Sequence, residues 1–121
     1  MPAGTLYIVA TPIGNLADMT ARAVQVLHNV HLIACEDTRT SRVLLDHYRV
    51  TSATMSLHKF SEARRTATIL ERLARGEDVA LISDAGTPAV SDPGARVVKA
   101  ELEQGYRVVP IPGPSSIIAA L

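Results

Sequence analysis

The chain has 121 residues, 47% of them apolar and 20% charged, with twelve bases against twelve acids. That length allows one domain and argues against two, and the balance is that of a folded globular protein, not a disordered one. The apolar runs are too short for a membrane span, and the start Met1-Pro2-Ala3-Gly4-Thr5 lacks the basic segment of a signal peptide. A single cysteine, Cys35, excludes an internal disulfide framework, so a reducing, cytoplasmic setting is expected.

Leu6-Tyr7-Ile8-Val9-Ala10 reads as a buried strand ended by Thr11-Pro12. Asp18 or Thr20 caps a helix whose inner face is Ala23, Val24, Val26 and Leu27. His31 to Cys35 is a second strand, and Thr38 or Thr40 opens a helix that turns Val43, Leu44 and Leu45 inward. A weaker strand, Thr54 to Leu57, precedes a helix capped by Ser61, with Ala63, Ala67, Ile69, Leu70 and Leu73 inside and Gly76 as its C′ residue. Val79 to Ile82 has no polar alternation, as when both faces of a sheet are covered. Pro93 stands in the first turn of a fourth helix, with Val97, Val98 and Leu102 inside and Gly105 as its stop. Arg107 to Ile111 is a fifth strand. Strands alternating with helical stretches of about 10–15 residues predict a three-layer α/β fold, a mainly parallel five-stranded sheet with helices on both faces. Beyond Gly113-Pro114, Ser115 and Ser116 look like the cap of a further helix, and the run Ile117 to Leu121 supplies about one turn of it. A single turn neither buries its face nor completes its hydrogen bonds, so the chain is expected to be the front part of something longer.

Charge is not spread evenly. Between Thr38 and Arg75 lie eight bases (Arg39, Arg42, Arg49, Lys59, Arg64, Arg65, Arg72, Arg75) and three acids (Asp46, Glu62, Glu71), a net +5 against −5 for the rest. A basic middle segment suggests a surface facing a polyanion, although solvated helix faces give the same pattern. With one Phe and three Tyr, any nucleic-acid contact is expected at phosphates and not through base stacking.

Ligands of open parallel sheets bind at the carboxyl ends of the strands. Four of the five strands here end in loops of special composition: Thr11-Pro12-Ile13-Gly14-Asn15, Cys35-Glu36-Asp37-Thr38-Arg39, the long stretch from Ser83 to Gly94, and Pro110 to Ser116. Five of the seven prolines lie between Pro88 and Pro114, which stiffens the last two loops. No G-x-x-x-x-G-K-[ST] and no G-x-G-x-x-G follows any strand, so neither P-loop chemistry nor a dinucleotide pyrophosphate has a cradle. A nucleoside-like ligand without pyrophosphate fits better, and S-adenosylmethionine is one, because its two ends need backbone donors, small side chains and hydroxyls.

The runs Tyr7-Ile8-Val9-Ala10-Thr11-Pro12-Ile13-Gly14-Asn15-Leu16, Cys35-Glu36-Asp37-Thr38-Arg39-Thr40-Ser41, Ile82-Ser83-Asp84-Ala85-Gly86-Thr87-Pro88 and Pro112-Gly113-Pro114-Ser115-Ser116 resemble those of the ribosomal RNA small subunit methyltransferase I family, a branch of the tetrapyrrole methylases. The likeness covers essentially the whole chain. It implies 2′-O-methylation of a cytidine ribose in 16S rRNA of the 30S subunit, with S-adenosylmethionine as cofactor, by a cytoplasmic homodimer. It also implies two α/β domains with the cofactor between them, residues 1–121 being the N-terminal methyltransferase domain and the C-terminal domain being absent from this chain. Cofactor contacts carry over by position to Pro12 and Ile13, to Ala85, Gly86, Thr87, Ala89 and Val90 in the long loop, and to Ser115 and Ser116. Related methylases have a glycine-rich first loop where this chain has Thr11-Pro12-Ile13-Gly14, a departure that speaks against a corrin substrate.

A ribose hydroxyl is a poor nucleophile until its proton is removed or its charge stabilised. Glu36 and Asp37 at a strand end are candidate bases, with helix capping by Asp37 or Thr38 as the plainer alternative. Asp84 is a third catalytic candidate, or the start of an Asx turn before Gly86. Arg39 is placed to steer a phosphate, or else pairs with Glu36 or Asp46. His58 and Lys59 follow the third strand on the same edge, and Arg42, Arg64 and Arg65 extend the RNA surface outward to more distant phosphates. The histidines and Cys35 show no ligand spacing, so no metal site is expected, and Cys35 reads as a small buried residue. Two other readings stay open: a methylase of tetrapyrroles or another small molecule on the same fold, and a non-catalytic RNA-binding domain.

Overall fold

A strand covered on both faces has no use for polar alternation, and the apolar runs of this chain become the strands of one parallel sheet. The computed structural model describes residues 3–10, 19–35, 38–57, 62–83 and 92–111. The strands are β1 (Thr5–Ala10), β2 (Leu32–Cys35), β3 (Ala53–Ser56), β4 (Val79–Ser83) and β5 (Arg107–Ile111). Between them run α1 (Ala21–Asn29), α2 (Thr38–His47), α3 (Glu62–Ala74) and α4 (Asp92–Glu103). The strand order is β3-β2-β4-β1-β5, with every neighbouring pair parallel.

The order dictates where the helices go. The chain moves from β1 to β2 to β3 in one direction across the sheet, then returns from β3 to β4 to β5 in the other. Right-handed crossovers in opposite directions lie on opposite faces. Accordingly, α1 and α2 pack Ala23, Val26, Leu27 and Leu45 against Val9, Ile33, Cys35, Ala80 and Ile82. On the other face, α3 and α4 pack Ile69, Leu73 and Val97 against Leu6, Leu32, Ala34, Val79 and Leu81. Successive residues of β2 and β4 alternate between these two cores, which explains why all four residues of β2 are buried. Each core side chain of Leu or Ile size removed from water contributes about 1.5–3 kcal/mol, so the two cores carry most of the stability.

The ends follow local chemistry. Thr20 is the N-cap of α1, its Oγ1 accepting from the Ala23 amide at 3.1 Å. Gly76 and Gly105, at φ 87° and 83°, close α3 and α4 in the left-handed region that a Cβ disfavours. At the amino edge of the sheet, Asp78 acts as a clasp. Its Oδ1 accepts from the Thr5 amide at 2.8 Å and its carbonyl from the His31 amide at 2.9 Å. Gly4 donates to the Leu73 carbonyl there at 2.8 Å, and a Cβ on Gly4 would collide with the Glu77 carbonyl.

The helix stripes are narrower than the sequence suggests. Val43 is exposed while Leu44 and Leu45 are buried, because three consecutive residues spread over roughly 200° of a 3.6-residue turn and cannot all face inward. Ala63 and Ala67 of α3 are exposed, and Ile69 and Leu73 form its buried line. On α4 the inner position belongs to Glu101, four residues after Val97, and Leu102 faces solvent at 57% exposure.

Candidate functional site

Because all strands are parallel, Ala10, Cys35, Ser56, Ser83 and Ile111 finish on one edge of the sheet. Ala10 pairs with Ser83, so the chain beyond β1 and the chain beyond β4 start about 4.8 Å apart. Ile111 pairs with Val9, which brings the start of the stretch beyond β5 to the other side of β1. β1 sends its chain to the α1 face and β4 sends its chain to the α4 face. Neighbouring strands that part in this way open a crevice outside their carboxyl ends, where ligands of such sheets bind.

The strand order sorts the sequence candidates across that edge. Pro12 and Ile13 follow β1, Ala85, Gly86, Thr87, Ala89 and Val90 follow β4, and Ser115 and Ser116 follow β5, three adjacent strands. Asp84 directly follows Ser83, Glu36 and Asp37 directly follow Cys35 on the neighbouring β2, and His58 and Lys59 follow β3 at the far side. These residues themselves lie outside the described segments. By the strands they follow, the cofactor candidates and Asp84 belong to β4-β1-β5, and Glu36, Asp37, His58 and Lys59 to β2 and β3.

Four basic candidates are described. Arg39 is exposed in the first turn of α2 and takes part in an interaction of its own. Arg42 donates from Nη2 to Thr54 Oγ1 of β3 at 3.1 Å, and its Nη1 lies 3.9 Å from Asp46 Oδ1. Asp46, one of the two partners expected for Arg39 beside Glu36, also lies within reach of Arg42, one helical turn away. Arg64 is exposed near the start of α3, while the neighbouring Arg65 is half-buried with its Nε sealed from solvent and without a hydrogen-bond partner. Arg72 of α3 and Arg75 just past its end are neutralised. Arg72 Nη1 meets Glu77 Oε1 at 3.1 Å and Arg75 Nη2 meets Glu71 Oε1 at 2.7 Å.

Cys35 is buried, with its Sγ 3.7 Å from the Met55 carbonyl, as a packing residue would be. Among the described residues no three His, Cys, Asp or Glu side chains gather as metal ligands, and no helix is long and apolar enough to cross a membrane. Two features escaped sequence reasoning. Glu101 is fully buried with both carboxylate oxygens unpartnered, and burial alone raises its pKa to about 7. A single acid in an apolar helix stripe leaves no trace in composition. A shallow groove of about 220 Å³ runs along α1 between Tyr7, Arg22, Gln25 and Asn29, reaching Asp78 at the amino edge, and so lies off the crevice.

Comparison with known proteins agrees with this geometry. Two relatives are each named ribosomal RNA small subunit methyltransferase I. One, from Mesorhizobium japonicum, is 54% identical over 96% of this chain and 40% of its own length. The other, from Escherichia coli O157:H7, is 51% identical over 98% of this chain and 41% of its own. The chain therefore spans about two-fifths of the relatives it matches. Among solved structures, a uroporphyrin-III-C-methyltransferase from Thermus thermophilus superimposes with a TM-score of 0.71 at 20% identity, over 91% of this chain and 47% of that one. A cobalt precorrin-4 methyltransferase does so with a TM-score of 0.72 at 18% identity, over 96% and 48%. At those identities the likeness is one of fold. The model of the tetrapyrrole (corrin/porphyrin) methylases matches residues 5–121, and the chain belongs to that family.

Proposed function

We propose that this chain is the N-terminal methyltransferase domain of an enzyme that transfers a methyl group from S-adenosylmethionine to the 2′-hydroxyl of a cytidine in 16S rRNA. The observation that carries the reading is identity of 51–54% across nearly the whole chain with relatives named for small-subunit rRNA methylation. The alternative, a tetrapyrrole substrate, is favoured by the name of the matching family model and by fold likeness at 18–20% identity. The bases concentrated between Thr38 and Arg75 suit an RNA backbone, which carries one phosphate per nucleotide.

The residues at the strand ends suit the cofactor. Pro12, Ile13, Ala85, Gly86, Thr87, Ala89, Val90, Ser115 and Ser116 are small, apolar or hydroxylic, and they follow three adjacent strands. Such residues accommodate an adenosine and an amino-acid end without a phosphate to neutralise. S-adenosylmethionine supplies an activated methyl on a sulfonium. The chain's share of the work is to hold the ribose hydroxyl in line with that methyl and to take its proton, and orientation is the larger part of such catalysis. Glu36 and Asp37, after β2, and Asp84, after β4, are the candidate acceptors of that proton. Arg39, Arg42, His58, Lys59, Arg64 and Arg65 are the candidate RNA contacts, grouped toward the β2-β3 side. A second domain closing the crevice, homodimerisation and a cytoplasmic setting belong to the same reading.

The test is transfer of labelled methyl from S-adenosylmethionine to 30S subunits by the chain extended through a second domain, followed by ribose mapping. A 2′-O-methylcytidine in 16S rRNA is the expected product. Label on a tetrapyrrole and none on rRNA would replace this reading with the alternative.

A further inference from the structure

The three arginines of α3, and Arg75 just past its end, divide by position and by what they touch. Arg72 and Arg75, near its carboxyl end, are held by Glu77 and Glu71. Arg65 lies about 10 Å nearer the start of the helix than Arg72, from the rise per residue. It stands four and eight residues before Ile69 and Leu73, on the line that faces the sheet, and both of those are fully buried. Arg65 is accordingly half-buried, with its Nε out of contact with water and with no hydrogen-bond acceptor. Among the described residues no carboxylate pairs with it. A leucine or methionine would cover the same apolar surface without stranding a guanidinium nitrogen, so the arginine head answers to something other than packing.

Its place on the helix bears on what that is. Helical side chains lean toward the helix amino terminus. The amino terminus of α3 lies at the carboxyl edge of the sheet, because the helix begins where the chain leaves β3. That general lean carries an Arg65 head along α3 toward the edge from which the candidate site residues depart, while Arg64 is exposed. The guanidinium offers a planar fork of donors that matches two oxygens of one phosphate.

We infer that Arg65 is a substrate-positioning residue that grips one backbone phosphate of the RNA strand at the β3 side of the crevice. This goes beyond the outward surface role shared with Arg42 and Arg64, and it rests on the RNA reading above. Arg72 and Arg75, already neutralised, take no phosphate.

The test uses Arg65→Met, which keeps the apolar stem and removes the head, beside Arg65→Lys and the control Arg75→Met. Binding of a fluorescent single-stranded RNA of 16S decoding-region sequence is followed by anisotropy at several salt concentrations, with melting temperature measured in parallel. Arg65→Met is expected to flatten the log–log salt slope by about 0.7, the share of one phosphate on a single strand. It should leave the melting temperature unchanged or raised. Arg65→Lys should restore most of the slope, since the charge remains, and Arg75→Met should leave the slope at the wild-type value. An unchanged slope in Arg65→Met, with wild-type RNA binding intact, overturns the inference and leaves the RNA reading standing. Absence of RNA binding both by the wild-type chain and by the chain extended through a second domain removes both.

Discussion

Arg49 is the non-glycine residue with positive φ among the described residues, at 57°, and it ends α2. Its amide donates to the Asp46 carbonyl at 3.1 Å and the next amide, of Val50, to the Leu45 carbonyl at 2.8 Å, so the left-handed turn satisfies carbonyls that the helix leaves open. A Cβ in that region costs about 1 kcal/mol relative to glycine. Arg49→Gly is therefore expected to stabilise the chain by several tenths of a kcal/mol to about 1, partly offset by greater freedom of the unfolded chain. Urea denaturation reads this as a higher midpoint with an unchanged slope. A lower midpoint would mean that the Arg49 side chain holds more of the fold than its exposure suggests. The same residue-by-residue logic separates Arg65 from Arg72 and Arg75. All three look alike in a charge count, and only their partners distinguish them.

α4 carries the chief conflict between local sequence and fold, the buried Glu101 between Val97 and the stop at Gly105. The helix joins the end of the long loop beyond β4 to β5, and it packs on α3 and β5. The Glu101 carboxyl titrates at about 7 in the fold against 4.5 in the unfolded chain, because burial disfavours its charge. Between those values the folded state holds a proton that the unfolded state has lost. Its contribution to stability is thus complete below pH 4.5, falls as pH rises through this window, and above pH 7 becomes a constant penalty on the order of 3 kcal/mol. Glu101→Gln removes the titration, so the stability of the variant minus that of wild type should rise between pH 4.5 and 7 and then level off. A flat difference would assign Glu101 an ordinary carboxylate environment. Element type and order were legible in the sequence, since runs such as Val79 to Ile82 have one plausible use in a parallel sheet. The facing residues of helices were less so. One position of rotation is 100°, and Val43, Leu102 and Glu101 show that an apolar letter does not fix which side is inward. The strand order was also illegible. Insertion of β4 between β2 and β1 is a choice among long-range pairings, and it is this choice that gathers the candidate cofactor loops on three adjacent strands.

At the scale of the molecule, the proposed cofactor site has the carboxyl edge of the sheet as one of its two walls. The sheet's five strand ends form a single edge, and in sequence the candidates follow those ends, the proposed cofactor group after β4, β1 and β5 and His58 and Lys59 after β3. The loops were visible in the sequence as departures from ordinary turns, yet their grouping came from registers such as Ala10 with Ser83. A small ligand in a pocket has most of its surface, about 70–90%, covered by protein. One wall covers about half of that, and apolar contact is worth roughly 25 cal/mol per Å², so a bound nucleoside-like cofactor gives up several kcal/mol when the opposite wall is missing. Each 1.4 kcal/mol is about tenfold in affinity. We therefore expect this 121-residue chain to fold cooperatively on its two cores. It should bind S-adenosylhomocysteine at least a hundredfold more weakly than the chain extended through a second domain, and it should transfer no methyl to 30S subunits alone. Calorimetric titration of both forms, with thermal melting to establish that the short form is folded, measures each part. Equal affinity in the two forms would place the whole cofactor site on this domain. Turnover by the short form would show that its strand-end edge is sufficient for the chemistry.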